Sequence, residues 1–152
     1  AHRYRSGEEE SKDLLSDCFN IEVKLPMEIC RRLALESPNL KGIIFLSSIA
    51  AQYISGEQPL EYHLCKSSIE HMAKFLSLEL RPKNIAVNTL RLAYVDQKKK
   101  TTRSPGFFDS AKAVLPDKMV PKPNEIADLA VGLLKLMENR LLLGKLLLQM
   151  AA

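Results

Sequence analysis

Tyr62 and Lys66 stand four positions apart in the stretch Tyr62-His63-Leu64-Cys65-Lys66, a spacing that on a helix puts one side chain a turn above the other on the same face. A phenol beside an ammonium is suited to moving a proton. At about 5 Å and an effective dielectric near 20, the ammonium favours the phenolate by roughly 3 kcal/mol, which makes a tyrosine usable as acid or base. Ser48 ends the apolar run Gly42-Ile43-Ile44-Phe45-Leu46-Ser47-Ser48, fourteen positions before Tyr62. A hydroxyl at a strand end can hydrogen-bond the oxygen that gains or loses the proton. Ser47 is a second candidate for that task.

These residues need elements to hold them. The run from Gly42 to Ser48 reads as a strand buried on both faces of a parallel sheet. After a loop with Gly56 and Pro59, the spacing predicts a helix from about Leu60 to Arg81, closed by Pro82, with a buried stripe of Cys65, Ile69, Met72, Ala73, Leu76 and Leu80. Tyr62 falls at the margin of that stripe and Lys66 just beyond it, where an ordinary lysine would lay its stem on apolar surface and end in water. Leu64, Phe75 and Leu78 form a second apolar patch on the same helix; a partner helix is expected to cover it.

Before the strand, apolar positions at helical spacing (Leu14, Leu15, Cys18, Phe19, then Ile29, Cys30, Leu33) predict a long helix over about 11–36, bent at Pro26. Residues 1–10 read as a polar loop. Asn84 to Leu90 reads as the next strand, and a polar, proline-containing stretch over 96–123 as a substrate or lid loop with a possible short helix over 107–115. Pro123-Asn124-Glu125 reads as a helix start with Asn124 as N-cap, and 141–150 as a last strand. Helices alternating with buried strands imply a single α/β layer domain over 1–152 with parallel strands.

Composition narrows the function classes. The 152 residues carry 22 basic and 18 acidic side chains, a net charge of +4, too mild and too dispersed to point to nucleic acid. Lys98-Lys99-Lys100 is read as a solvated loop. Cys18, Cys30 and Cys65 show no Cys-x-x-Cys spacing, which disfavours a zinc site or disulfide framework, and His63 and His71 have no partner at metal spacing. A reducing cytoplasm is the expected location. No apolar run approaches the ~18 residues that a membrane span needs.

In order along the chain come Phe19-Asn20-Ile21, a strand ending in Ser47-Ser48, Tyr62-x-x-x-Lys66, and Glu79-Leu80-x-Pro82-x-Asn84-Ile85-x-Val87-Asn88. A Pro123-x-Glu125-Ile126-Ala127 helix start and a final strand containing Gly144 follow. This series resembles the short-chain dehydrogenase/reductase family, over nearly the whole chain. The resemblance implies a Rossmann-like three-layer α/β/α domain that moves hydride between NAD or NADP and a carbonyl or alcohol. By matching position, Tyr62 is the general acid/base, Lys66 lowers its proton affinity and holds the nicotinamide ribose, Ser48 polarises the substrate oxygen and Asn20 supports a proton-relay water. Ala93 and Val95 match positions where the family's backbone meets the nicotinamide amide.

Two departures shape the expectations. The six glycines stand apart, with no Gly-x-Gly-x-x-Gly cluster to approach a pyrophosphate, so the chain reads as the C-terminal catalytic half of an incomplete doubly wound fold. Leu92-Ala93 stands where the family usually has Pro-Gly. A homo-oligomer, or a second chain completing the sheet, is therefore expected, and Phe75→Glu is expected to shift the assembly toward smaller species. The competing reading is a non-catalytic subunit or scaffold that has lost cofactor binding; a third is a heteromeric enzyme whose partner chain brings the dinucleotide site.

Overall fold

A computed structural model describes residues 14–54, 58–96, 120–139 and 147–150. Helix α1 (Leu14–Phe19) passes through a π-helical turn (Asn20–Lys24) into α2 (Leu25–Glu36). Strand β1 (Gly42–Ser48) and a 3-10 turn (Ile49–Ala51) lead to α3 (Leu60–Glu79), a second 3-10 turn (Arg81–Lys83) and β2 (Ala86–Leu92). Helix α4 (Pro123–Glu138) and β3 (Leu147–Met150) complete the described elements.

The three strands form one parallel sheet in the order β1-β2-β3, with Gly42 opposite Ala86 and Ser48 opposite Leu92. Thr89 to Leu92 then pair with Leu147 to Met150. Alternate residues of each strand serve opposite layers. Phe45, Ile85 and Val87 meet Val23, Cys30, Ile69, Met72, Ala73, Leu76 and Leu80 on the side of α2 and α3. Leu90 gathers Ile126 and Leu133 of α4, with Ile44, Leu92 and Leu129 around them. Both faces of β2 are thus covered, whereas β1, expected to be buried on both faces, is only partly so: Phe45 and Ser47 are buried while Leu46 is 52% exposed.

The expected α/β/α layering is present, and the boundaries shift for local reasons. The irregularity expected at Pro26 falls one turn earlier: the Leu25 N–H donates to the Asn20 carbonyl in a five-residue step. A proline ring crowds the carbonyl four residues before it, so the helix widens ahead of Pro26 instead of bending at it. The α3 stripe is buried as expected, but the expected stripe before β1 is only partly so: Cys18 and Cys30 are buried while Leu15, Phe19, Ile29 and Leu33 are exposed.

Strand β2 starts at Ala86, two residues later than expected, because Asn84 takes the left-handed conformation (φ 57) in the turn after Pro82. Helix α4 is capped two positions earlier than expected. Lys122 is its N-cap, Pro123 the first helical residue, and the Glu125 carboxylate accepts the Lys122 N–H at 2.6 Å. Asn124 is therefore inside the helix. The Asp96 N–H donates to the Pro121 carbonyl at 2.8 Å, so the stretch that leaves at Asp96 returns beside it. The expected helix over 107–115 and loop over 1–10 lie outside the described residues, as do residues 140–146 ahead of β3.

Candidate active site

The N-terminal half of α3 carries Tyr62 and Lys66 past the end of β1. Tyr62 is half-buried, and the Lys66 ammonium lies 5.4 Å from the centre of its ring. Lys66 is buried, where an ordinary lysine at this margin would reach water. Its Nζ pairs at 2.7 Å with Oε2 of Glu22 from the π turn, the two side chains being 11% and 9% exposed. A buried ammonium needs such a carboxylate, since its desolvation is otherwise uncompensated. The neighbouring His63 ring stands edge-on to Tyr62, with Nδ1 3.0 Å from the Pro59 carbonyl.

The two serines at the end of β1 have separate tasks. Ser47 is buried, its hydroxyl oxygen 3.4 Å from the Lys66 main-chain carbonyl. Ser48 accepts the Ala50 N–H at 3.2 Å as cap of the 3-10 turn, which fixes its oxygen and leaves its own hydroxyl proton to be donated. Ser67 of α3 hydrogen-bonds the Ala51 carbonyl at 2.9 Å. The turn that carries Ser48 is therefore fastened to the helix that carries Tyr62 and Lys66.

Below this layer, Arg91 of β2 grips Glu70 of α3 and Gln52 of the loop after Ser48, with Nη1 to Gln52 Oε1 at 2.6 Å. The Glu70 carboxyl is subject to burial, which raises its pKa. Hydrogen bonds from Arg91 and Ser47, with the charges of Arg91 and Lys74, outweigh this and hold it below the usual range. Asn20 is exposed at the start of the π turn; it is Glu22, two residues on, that reaches Lys66. Ala93 and Val95 leave β2 half-buried, with Val95 packed against the α4 side of the core.

Cys65, beside the pair, is fully buried. Burial first, then the adjacent Cys18 thiol and the Glu22 charge, push its pKa up to about 12 against the opposing pull of Lys66. It is a packing thiol at neutral pH. No cluster of histidine, cysteine and acidic residues suited to a metal occurs among the described residues. No helix among them is long and apolar enough to cross a membrane.

Sequence reasoning missed Glu22, Glu70, Gln52 and Arg91. The signal was present for two of them. Arg91 lies between Leu90 and Leu92 in an apolar strand, and Glu70 lies beside Ile69 on the inward side of α3; a charge at each core position implies a partner at the other.

The comparisons with known proteins follow the same elements. Residues 4–142 match the family described as enoyl-(acyl carrier protein) reductase. No curated protein matches the chain in sequence. Among solved structures, a 3-oxoacyl-[acyl-carrier protein] reductase from Brucella melitensis superposes with a TM-score of 0.78 at 20% identity, over 92% of this chain and 53% of its own. The angucycline C-6 ketoreductase LanV with bound NADP gives 0.77 at 21% identity, over 92% and 54%. BdcA in complex with NADPH gives 0.76 at 18%, over 95% and 59%. The chain spans little more than half the length of these proteins, and at such identities the likeness is one of fold. With the family match covering most of its length, the chain belongs to the short-chain dehydrogenase/reductase family.

Proposed function

We propose that the chain is the catalytic portion of an NAD(P)-dependent oxidoreductase of the carbonyl reductase or alcohol dehydrogenase type. One observation carries the reading: the Lys66 ammonium is held 5.4 Å from the centre of the half-buried Tyr62 ring, on the helix fastened to the turn of Ser48. Bound nicotinamide supplies or accepts the hydride. In reduction, the Tyr62 hydroxyl gives its proton to the carbonyl oxygen, the Ser48 hydroxyl donates a hydrogen bond to that oxygen, and Lys66 stabilises the phenolate left behind. Oxidation runs the same proton in reverse. Asn20, at the π turn, is the proposed support for a relay water.

The residues present fit one end of a dinucleotide. Lys66 has three N–H bonds and its ammonium pairs with a single carboxylate oxygen of Glu22, so donors remain for a ribose diol, with Ala93 and Val95 bordering the nicotinamide. The pyrophosphate end has no matching glycine turn in this sequence. We assign that end to a second part of the fold pairing along β1. The stretch 96–123 is proposed to border the substrate. A second copy is the proposed cover for Leu64, Phe75 and Leu78, which are 43%, 62% and 69% exposed.

Titrating NADH and NADPH fluorescence against the purified assembly, with turnover of simple ketones, tests the reading. Expected is dinucleotide binding that survives Tyr62→Phe, with turnover lost by a factor of about a hundred or more. Absence of binding in every assembly would instead support the scaffold reading, which the continuation of β2 through Leu92 favours.

A further inference from the structure

We propose that Glu22 is the positioning residue of the Tyr62–Lys66 pair, anchoring the lysine ammonium so that its remaining N–H bonds face the tyrosine and the ribose site. This rests on the oxidoreductase reading and gives a task to the carboxylate that reading names only as the partner of Lys66. A lysine has four rotatable carbons and a compact charge, so without an anchor it samples many positions. Here the anchor is a carboxylate 2.7 Å away, and both side chains are about nine-tenths buried.

Packing alone gives no reason for an acid at this position. An apolar pair of similar volume is commonly as stable as a buried ion pair, or more so. The backbone that delivers Glu22 is also irregular: the carboxylate comes from the π turn at Asn20–Lys24, directly ahead of Pro26. Single π turns recur at functional sites because they re-aim a side chain without ending the helix. The amide at the start of the turn, Asn20, is exposed, while the acid two residues later reaches the ammonium. Glu22 acts through Lys66 and touches neither reacting atom.

The test uses Glu22→Gln, Glu22→Asp and Lys66→Met in the whole protein, each checked for folding by circular dichroism. One readout is the ¹³C NMR signal of the lysine methylene next to Nζ, assigned to Lys66 by its loss in Lys66→Met. The other is NADPH affinity by fluorescence. Expected is a Lys66 signal distinct from those of surface lysines in the wild type, displaced toward them in Glu22→Gln and intermediate in Glu22→Asp. NADPH affinity should fall roughly tenfold in Glu22→Gln, the scale of one charge-assisted hydrogen bond, and partly recover in Glu22→Asp.

If Glu22→Gln does not fold, displacement of the signal in Glu22→Asp decides. An unmoved Lys66 signal, or NADPH affinity unchanged in Glu22→Gln but lost in Lys66→Met, overturns the proposal. A wild type that binds no NADPH, yet shows the displacement in Glu22→Gln, leaves the anchor standing and removes the oxidoreductase reading.

Discussion

Arg91 closes on Glu70 with two parallel hydrogen bonds, Nε to Oε1 at 2.7 Å and Nη2 to Oε2 at 2.6 Å, at a place where the arginine is 1% exposed. The fork geometry of the guanidinium suits this bidentate grip, and a lysine could not reproduce it. Arg91→Met leaves the Glu70 carboxylate buried without its partner and is expected to cost about 3–5 kcal/mol. Replacing both with leucine should recover most of that loss. Urea unfolding of the single and double variants checks it; a single-variant loss below about 1 kcal/mol would contradict the burial argument.

The same pair sets the acid limit of the fold. Glu70 has a folded-state pKa below its unfolded value, so its contribution is present above the unfolded value and lost as pH falls through the folded one. Glu79, hydrogen-bonded to Arg31, is lowered in the same direction at the surface. Melting temperature should therefore fall as pH drops below about 4.3, the unfolded glutamate range. Glu70→Gln should melt lower at neutral pH and show a flatter acid slope.

All three cysteines are buried, and burial raises Cys30 while Cys65 is pushed up to about 12. At pH 8 the folded protein should react with a disulfide reagent such as Ellman's only over hours, and at all three thiols within minutes once denatured. An acid group raised on folding also removes stability as pH climbs from its unfolded value of 9.0 toward 12. Cys65→Ala should lessen that alkaline loss.

Two glycines predict opposite outcomes. A methyl group at Gly42 would lie 2.9 Å from Met137 Cε, 3.2 Å from Met137 Cβ and 3.3 Å from Leu134 Cδ2, so Gly42→Ala should cost about 1–3 kcal/mol by overpacking. At Gly132, inside α4, nothing lies within 4 Å. Gly132→Ala should stabilise by about 0.5–1 kcal/mol, since glycine in a helix interior loses more backbone freedom on folding. Thermal melts of both variants check the pair.

How much could be read ahead of the structure differs by element. Strand β1 was legible residue for residue because Gly42 to Ser48 is a short unbroken apolar run, although Leu46 ends 52% exposed, and the α3 stripe because six apolar positions keep one helical phase. Pro26 announced an irregularity but not its position, since a helix can answer a proline by kinking or by widening one turn earlier. Tyr62, Lys66 and Ser48 were visible as residue types at fixed spacing. Glu22 was not, because its reach to Lys66 depends on backbone phase and joins elements far apart in sequence. Arg91 and Glu70 broke an apolar pattern, and that break was the evidence of a pair.

Cys18 and Val23 are both buried although five positions apart, a spacing that in uniform α winding sets them about 140° away from each other. The surplus residue between Asn20 and Lys24 works as a splice between two windings of one rod. Excising Ile21 would restore constant pitch and swing the segment before it by about 100°, carrying Cys18 off the Glu61 carbonyl it approaches at 4.0 Å. A one-residue deletion far shorter than any loop could thus disengage the front of the rod from the Tyr-Lys helix while every side chain of that helix stayed in place.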